Sequence, residues 1–307
     1  MRVTTTEASA PAETGRTWLP YAAVLCTMVF WASAFVAIRH LGGSFDPGPL
    51  SLGRMLTGAV VLSAFMLAGG RWVRPTRQEW LRLIAIGLLW YAVYHVALNA
   101  GELRVDAGTA SMLLQASPVL IALAAAVFLD EPFTRELALG LVLACAGVVL
   151  ISTSGEGGAH GDLVGALLCL VAAAAYTVSV ILQKPMTGRI SALQITWSAC
   201  TIGAIGQLVF LPGLLDQAQA ASAADLGWLA YLGVFPTAIA FTTYGYALQH
   251  MSAGSLGVTT YLVPPITIVL GLVFLGETPP PLAYAGGVLA LVGVAITRRR
   301  PKPKVRV

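Results

Sequence analysis

A few side chains stand out because their chemistry is costly where the sequence puts them. Trp31, Tyr91, His95, Asn99, Gln115, Tyr176, Tyr244 and Tyr261 lie well inside long apolar runs, and three prolines, Pro118, Pro264 and Pro265, interrupt such runs. A polar group surrounded by hydrocarbon must bond to a neighbour or face a solute, so these are the candidate solute-binding residues. Tyr91, His95 and Asn99 are spaced i, i+4 and i+8, which places them on one helical face. Gln115 comes one turn before Pro118, and Tyr261 one turn before Pro264 and Pro265. A proline inside a helix frees a carbonyl and bends the axis, so the prolines are expected to shape a cavity or act as hinges. The chemistry implied is non-covalent recognition in a mostly aromatic cavity with few polar anchors. Each residue also has a plainer reading. Tyr and Trp pack or sit at interfaces, His95 can bond to a neighbouring helix, and Asn99 can tie two helices for about 0.6–2 kcal/mol. For Arg54, snorkelling outward and a gating role are equally open. Glu131 and Glu277 read as helix-end contacts, and Thr134 and Thr278 as N-caps.

Covalent chemistry finds no support. Ser33, Ser111, Ser117 and the lone His95 form no nucleophilic constellation, and there is no pair of acids at membrane depth. Cys26, Cys145, Cys169 and Cys200 fall in apolar stretches without metal-ligand spacing and read as small buried hydrophobes. No Gly-rich phosphate loop is present. The expectation is a non-enzyme with no catalytic residue, no metal and no cofactor. All 14 Asp and Glu map to loops or helix ends. Proton coupling through His95, solute exchange and facilitated movement therefore all stay open.

The elements that must position these residues follow from composition. Of 307 residues 57% are hydrophobic and 10% charged, with a mean hydropathy of +0.79. A soluble domain carries about 25% charged residues, so this chain belongs in a bilayer. A spanning helix needs about 20 apolar residues. Candidates run over 20–40, 48–69, 80–100, 106–129, 136–153, 162–183, 192–213, 226–248, 253–275 and 281–297. These are long continuous runs rather than the alternation of an outer-membrane barrel, so the expected fold is all-α with ten transmembrane helices. Residues 1–18 read as a disordered cytoplasmic N-terminus and 299–307 as a basic cytoplasmic tail. With both termini in the cytoplasm, 15 Lys and Arg fall inside and only Arg39 and Arg104 outside, with Arg54 within the second span. The lipid bilayer, rather than nucleic acid, is the expected partner of the basic tail. The expected location is the bacterial inner membrane; monomer and homodimer stay open.

The sequence also matches itself at an offset of 146 residues. Over 107–151 there are 13 identities without a gap, among them Pro118/Pro264 and Glu131/Glu277, and Gly87/Gly233 extends the register upstream. The chain divides into two halves of five spans, 19–154 and 160–298. Five is odd, so the second half enters the bilayer from the opposite side and the repeats are inverted. Inverted repeats are an architecture of secondary transporters, with solute held near the midplane between the halves.

The motifs carrying this pattern are Trp31-Ala32-Ser33, Pro49 with Arg54, Ala110-Ser111-Met112-Leu113-Leu114, Pro118-Val119-Leu120, Leu129-Asp130-Glu131, Gly140 and Gly147-Val148, with the copy from Ala253 to Val294. In this order the chain, over roughly 20–297, resembles the drug/metabolite transporter superfamily in its EamA-type branch with two five-helix repeats. Pro279-Pro280-Pro281 is a stiffer entry to the last span than that family usually has. The resemblance implies movement of small metabolites, often amino acids and related compounds. A lipid-linked flippase is the alternative, and an intramembrane enzyme a weaker one.

Overall fold

In a computed structural model, the structure describes residues 18–128, 162–251, 259–277 and 281–297, and the isolated positions 135, 138–139, 142–143, 146–147, 150, 256 and 279. All regular structure among these residues is helical: α1 (Leu19–Leu41), α2 (Pro47–Gly69), α3 (Arg77–Glu102), α4 (Ala107–Leu114), α5 (Ser117–Phe128), α6 (Leu163–Met186), α7 (Ala192–Gly206), α8 (Leu211–Ala220), α9 (Ala223–His250), α10 (Val263–Leu275) and α11 (Pro281–Thr297). Five of them, α1, α2, α3, α6 and α9, are long and apolar enough to cross a bilayer, and a sixth span arises if α7 and the bent segment after it count as one. Most of the fifth expected span, 136–153, lies outside the described residues, as do Cys145, Glu131, Thr134 and Thr278.

Helix starts follow the sequence. Thr76 Oγ1 accepts from the Glu79 backbone N–H while Glu79 returns a bond to the Thr76 N–H, a complete capping box. Asp106, Asp162, Ser191 and Ser222 cap α4, α6, α7 and α9 in the simpler one-bond form. Two expected spans differ in detail. The fourth is broken: α4 ends in a tightened turn, with Gln115 N donating to Met112 O and Ala116 N to Leu113 O, before α5 begins. The seventh turns by 50° at Gln207, and the stretch expected to be a loop after it is α8, built from the helix formers of LLDQAQA.

Both α3 and α9 contain a π-helical stretch, Gly87–Tyr94 and Gly233–Ile239, and these begin at the two glycines 146 residues apart. Their wide turns loosen the carbonyl ladder, and side chains take up the slack. His95 Nδ1 bonds to Trp90 O at 2.8 Å, and Thr237 Oγ1 donates to Leu232 O at 2.8 Å.

The packing is reciprocal. α1 packs on α9 and α10, while α6 packs on α3 and α5; α2 packs on α9, while α7 packs on α3; α2 and α7 pack on each other. The closest approaches repeat as well. A Cβ on Gly233 would stand 2.9 Å from Arg54 O on α2, and one on Gly87 would stand 2.9 Å from Ala199 O on α7. Absence of a side chain lets the backbones meet, the usual device where lipid supplies no hydrophobic drive between helices.

The two ends of the bundle are also related. At one end the turn after α2 meets the turn after α6: Gln194 and Val73 exchange two bonds of 2.7 and 2.9 Å, and Arg189 pairs with Glu79. At the other, roughly 34 Å away along the 23 residues of α2, the α1–α2 turn meets α8 and α9. There Gln217 Nε2 donates to Asp46 at 2.6 Å and Ser44 Oγ to Asp225 at 3.1 Å. Thr76/Glu79 and Ser222/Asp225 are thus 146 residues apart in sequence and at opposite ends of the bundle. Lys184 and Arg189 share the first end with the Arg71–Arg77 segment. Arg39, bonded to Glu277 at 2.7 Å, and Arg104, 3.2 Å from Asp162, lie at the second. The outer surface is apolar, with Leu67 89% exposed, as befits helices facing lipid rather than water.

Candidate functional site

Where α1, α3, α6 and α9 converge on the α4–α5 break, they line a cavity that is partly open. α1 supplies Trp31 and Phe35, α3 supplies Trp90 and Tyr94, and Tyr176 and Phe241 come from α6 and α9. The rings interlock edge to face: Trp90 lies 5.0 Å from Tyr176 and 5.1 Å from Phe241, and Trp31 lies 5.5 Å from Phe241. Such packing holds the walls rigid and presents both ring faces and ring edges to a solute.

The polar part of the wall is small. Gln115 sits at the α4–α5 break, its Nε2 donating to Thr260 O at 3.2 Å and its Oε1 accepting from Thr260 Oγ1 at 3.3 Å. This double link joins the break to the turn before α10. Gln115 also lines a second, more apolar pocket with Pro264, Pro265 and Tyr284. The Tyr176 and Tyr244 hydroxyls share a 2.7 Å bond. Arg54, on α2, is 2% exposed and among the described residues is the sole charged one lining the main cavity; its Nε donates to Thr237 Oγ1 at 2.7 Å.

The residues expected from sequence divide into two groups. Trp31, Gln115 and Tyr176 line the cavity. Tyr91, His95, Asn99 and Tyr244 are buried behind it. The spacing of Tyr91, His95 and Asn99 does place them on one face of α3, but that face meets neighbouring helices: Tyr91 packs against Gly203 and Phe241, and Asn99 Nδ2 donates to Pro47 O at 3.0 Å. The cavity-facing row of α3 is one residue earlier, Trp90, Tyr94 and Leu98. Periodicity fixes which residues share a face; one residue is about 100° of rotation, so only packing decides which face looks inward. His95 lies between Tyr94 and Phe241, and among the described residues its Nε2 has no partner. The Tyr261 side chain lies outside the described features; its backbone forms the tight turn Thr260–Leu262.

Pro118, Pro264 and Pro265 stand in the first turns of α5 and α10 rather than within a continuous helix. There a missing N–H costs nothing, because first-turn donors have no partner in the helix. The prolines start new helices behind the breaks instead of kinking long ones.

Sequence reasoning missed Trp90, Tyr94, Phe241 and Thr260 as wall residues and left Arg54 undecided. It also placed Glu102 among helix-end acids. Glu102 does end α3, yet it is fully buried, and among the described residues neither carboxylate oxygen has a partner. No three His, Cys, Asp or Glu side chains among the described residues gather as metal ligands would.

These features define the class: a multi-pass α-helical membrane protein with an aromatic-lined cavity between its helices. The sequence profile of the EamA-like transporter family matches residues 18–153 and again 163–299, and the chain belongs to that family. It is a transporter and not an enzyme. It is 38% identical over 279 residues to a probable terminal-alkyne amino-acid exporter of Streptantibioticus cattleyicolor, covering 91% of this chain and 93% of that one. It is 30% identical to the uncharacterized transporter YdfC of Bacillus subtilis, covering 87% of each chain. At 25% identity and 90% coverage of each chain it is also similar to the uncharacterized inner membrane transporter YedA of Escherichia coli. A solved crystal structure superposes with a TM-score of 0.63 at 20% identity, over 91% of this chain and 96% of that chain, and shares the fold.

Proposed function

We propose that the chain is a secondary transporter of ten membrane helices, arranged as inverted halves 19–154 and 160–298, which exports small amphiphilic or zwitterionic metabolites of amino-acid type from the bacterial cytoplasm. The observation that carries the reading is the aromatic cavity between the halves, walled by α1 and α3 from one and α6 and α9 from the other. Reciprocal packing supports the pseudo-two-fold relation, and the opposite placement of the Thr76 and Ser222 caps supports the inversion. Halves of near-equal construction give inward-open and outward-open states of similar energy, which is what alternating access requires. The gathering of Lys184 and Arg189 with the Arg71–Arg77 segment at one end favours that end as cytoplasmic. The probable amino-acid exporter among the relatives favours both the solute class and the direction.

The test is counterflow in liposomes holding the purified protein, with a labelled panel of amino acids and amphiphilic amines and acids, beside accumulation in deletion and overexpressing cells. Saturable exchange of one class, with raised cellular retention on deletion, is the expected result. No exchange of any solute, together with unchanged cellular pools, refutes the proposal.

A further inference from the structure

Resting on the transport reading, we infer that Arg54 is a carboxylate anchor and that the transported solutes are carboxylate-bearing amphiphiles. Arg54 is 98% buried in the bundle, since its relative exposure is 2%. Its Nε is held by Thr237, whose own hydroxyl is tied to Leu232 O, so the guanidinium is fixed in place. Among the described residues its two terminal nitrogens have no hydrogen-bond partner and no ion pair reaches them. Glu102 acts on Arg54 only through space, without contact. The free Nη1/Nη2 edge is the fork that receives the two oxygens of a carboxylate.

The rest of the wall agrees in sign. Trp31 Nε1, a donor with no acceptor option, is buried and among the described residues has no partner. Among the described residues no acid lines the cavity. The wall thus offers one unmet indole donor beside a positive charge, while most of the rest is aromatic or aliphatic. A solute with an anionic head and an apolar or aromatic body meets both requirements.

At the matching close approach in the other half, where Gly87 meets α7, the residue in the place of Arg54 is Ala199. The same backbone contact is thus made once at a residue that carries a methyl group and once at one that carries a guanidinium. An unpaired charge away from water is costly, and a carboxylate in the cavity offsets that cost.

Four probes sharing a phenyl group separate the possibilities: 3-phenylpropionate, L-phenylalanine, L-phenylalaninamide and phenethylamine. Binding to the full-length protein in nanodiscs is read by ligand-dependent thermal stabilisation, and transport by liposome counterflow. The wild type is expected to bind the two carboxylates at least about tenfold more tightly than the amide and the amine, a difference of about 1.4 kcal/mol. Arg54→Gln should remove that preference while leaving the weak binding of the amide and amine within about twofold. Arg54→Lys, which keeps the charge but loses the fork, should fall between. Should Arg54→Gln fail to fold, Arg54→Lys and the wild-type probe order decide the matter. Amide or amine binding as tight as carboxylate binding, carboxylate binding unchanged in a folded Arg54 variant, or no carboxylate binding at all overturns the anchor. Counterflow that ignores the carboxylate overturns the anchor and leaves the transport reading standing; loss of all counterflow with carboxylate binding retained does the reverse.

Discussion

Replacing Gly233 with alanine, and separately Gly87, tests the reciprocal packing most directly. Each new Cβ lands 2.9 Å from a backbone oxygen of the facing helix, Arg54 O on α2 or Ala199 O on α7. Ordinary contact begins at 3.4 Å, a helix carbonyl cannot rotate away, and Thr57 Cβ at Gly233 and Ile202 Cβ at Gly87 lie closer still, so each helix pair must part by roughly 0.5–1 Å. Overpacking of this kind costs about 1–3 kcal/mol, equivalent to a fall of roughly 3–10 °C in melting temperature. The two contacts share no residue, so the double variant should lose approximately the sum. Gly227, with nothing within 4 Å of its would-be Cβ, is the control: Gly227→Ala should be neutral or gain up to about 1 kcal/mol from helix propensity. Thermal unfolding in detergent, followed by tryptophan emission, measures all four proteins. The function adds an asymmetry, because only Gly233 presses on the residue that bears the guanidinium. Gly233→Ala should therefore weaken carboxylate binding more than Gly87→Ala does at matched loss of stability. Melting temperatures for either variant indistinguishable from that of Gly227→Ala refute the close-approach argument, and a large loss at one position alone refutes the reciprocity.

Tyr176→Phe and Tyr244→Phe each break the 2.7 Å hydroxyl pair and should cost about 0.6–2 kcal/mol; a double-mutant cycle should show coupling, and strict additivity contradicts the bond. A cysteine at Gln115 should react with a membrane-impermeant thiol reagent in one access state and be shielded in the other. Equal inertness under all conditions removes Gln115 from the pathway. Glu102→Gln breaks no hydrogen bond to the Glu102 carboxylate, because its oxygens have no partner among the described residues, so unfolding should show no loss of stability; a loss above about 2 kcal/mol contradicts the assignment. If His95 couples protons, His95→Gln should abolish the response of transport to a pH gradient while leaving counterflow intact, and an unchanged response ends that role.

The sequence by itself determined that the chain lives in a bilayer, because 57% hydrophobic residues and 10% charged ones leave no other solvent. The 146-residue register carried further than composition. It located Gly87 and Gly233, which prove to be the starts of both π-helical stretches and the sites where backbones touch. The caps at Thr76 and Ser222 are local interactions too, although the N-caps expected from sequence were Thr134 and Thr278, which lie outside the described residues. Trp31, Gln115 and Tyr176 were legible as wall residues because a polar or aromatic side chain deep in an apolar run is costly anywhere else. Tertiary structure alone decided the rotation of α3, which turns Trp90 and Tyr94 inward and Tyr91 and His95 away, since the same i, i+4 spacing fits both rows. It also decided that Arg54 points into the cavity instead of snorkelling, and that Glu102 is buried although it ends a helix. Burial of a side chain depends on which neighbours surround it, and a linear pattern holds no record of that until the helices are packed.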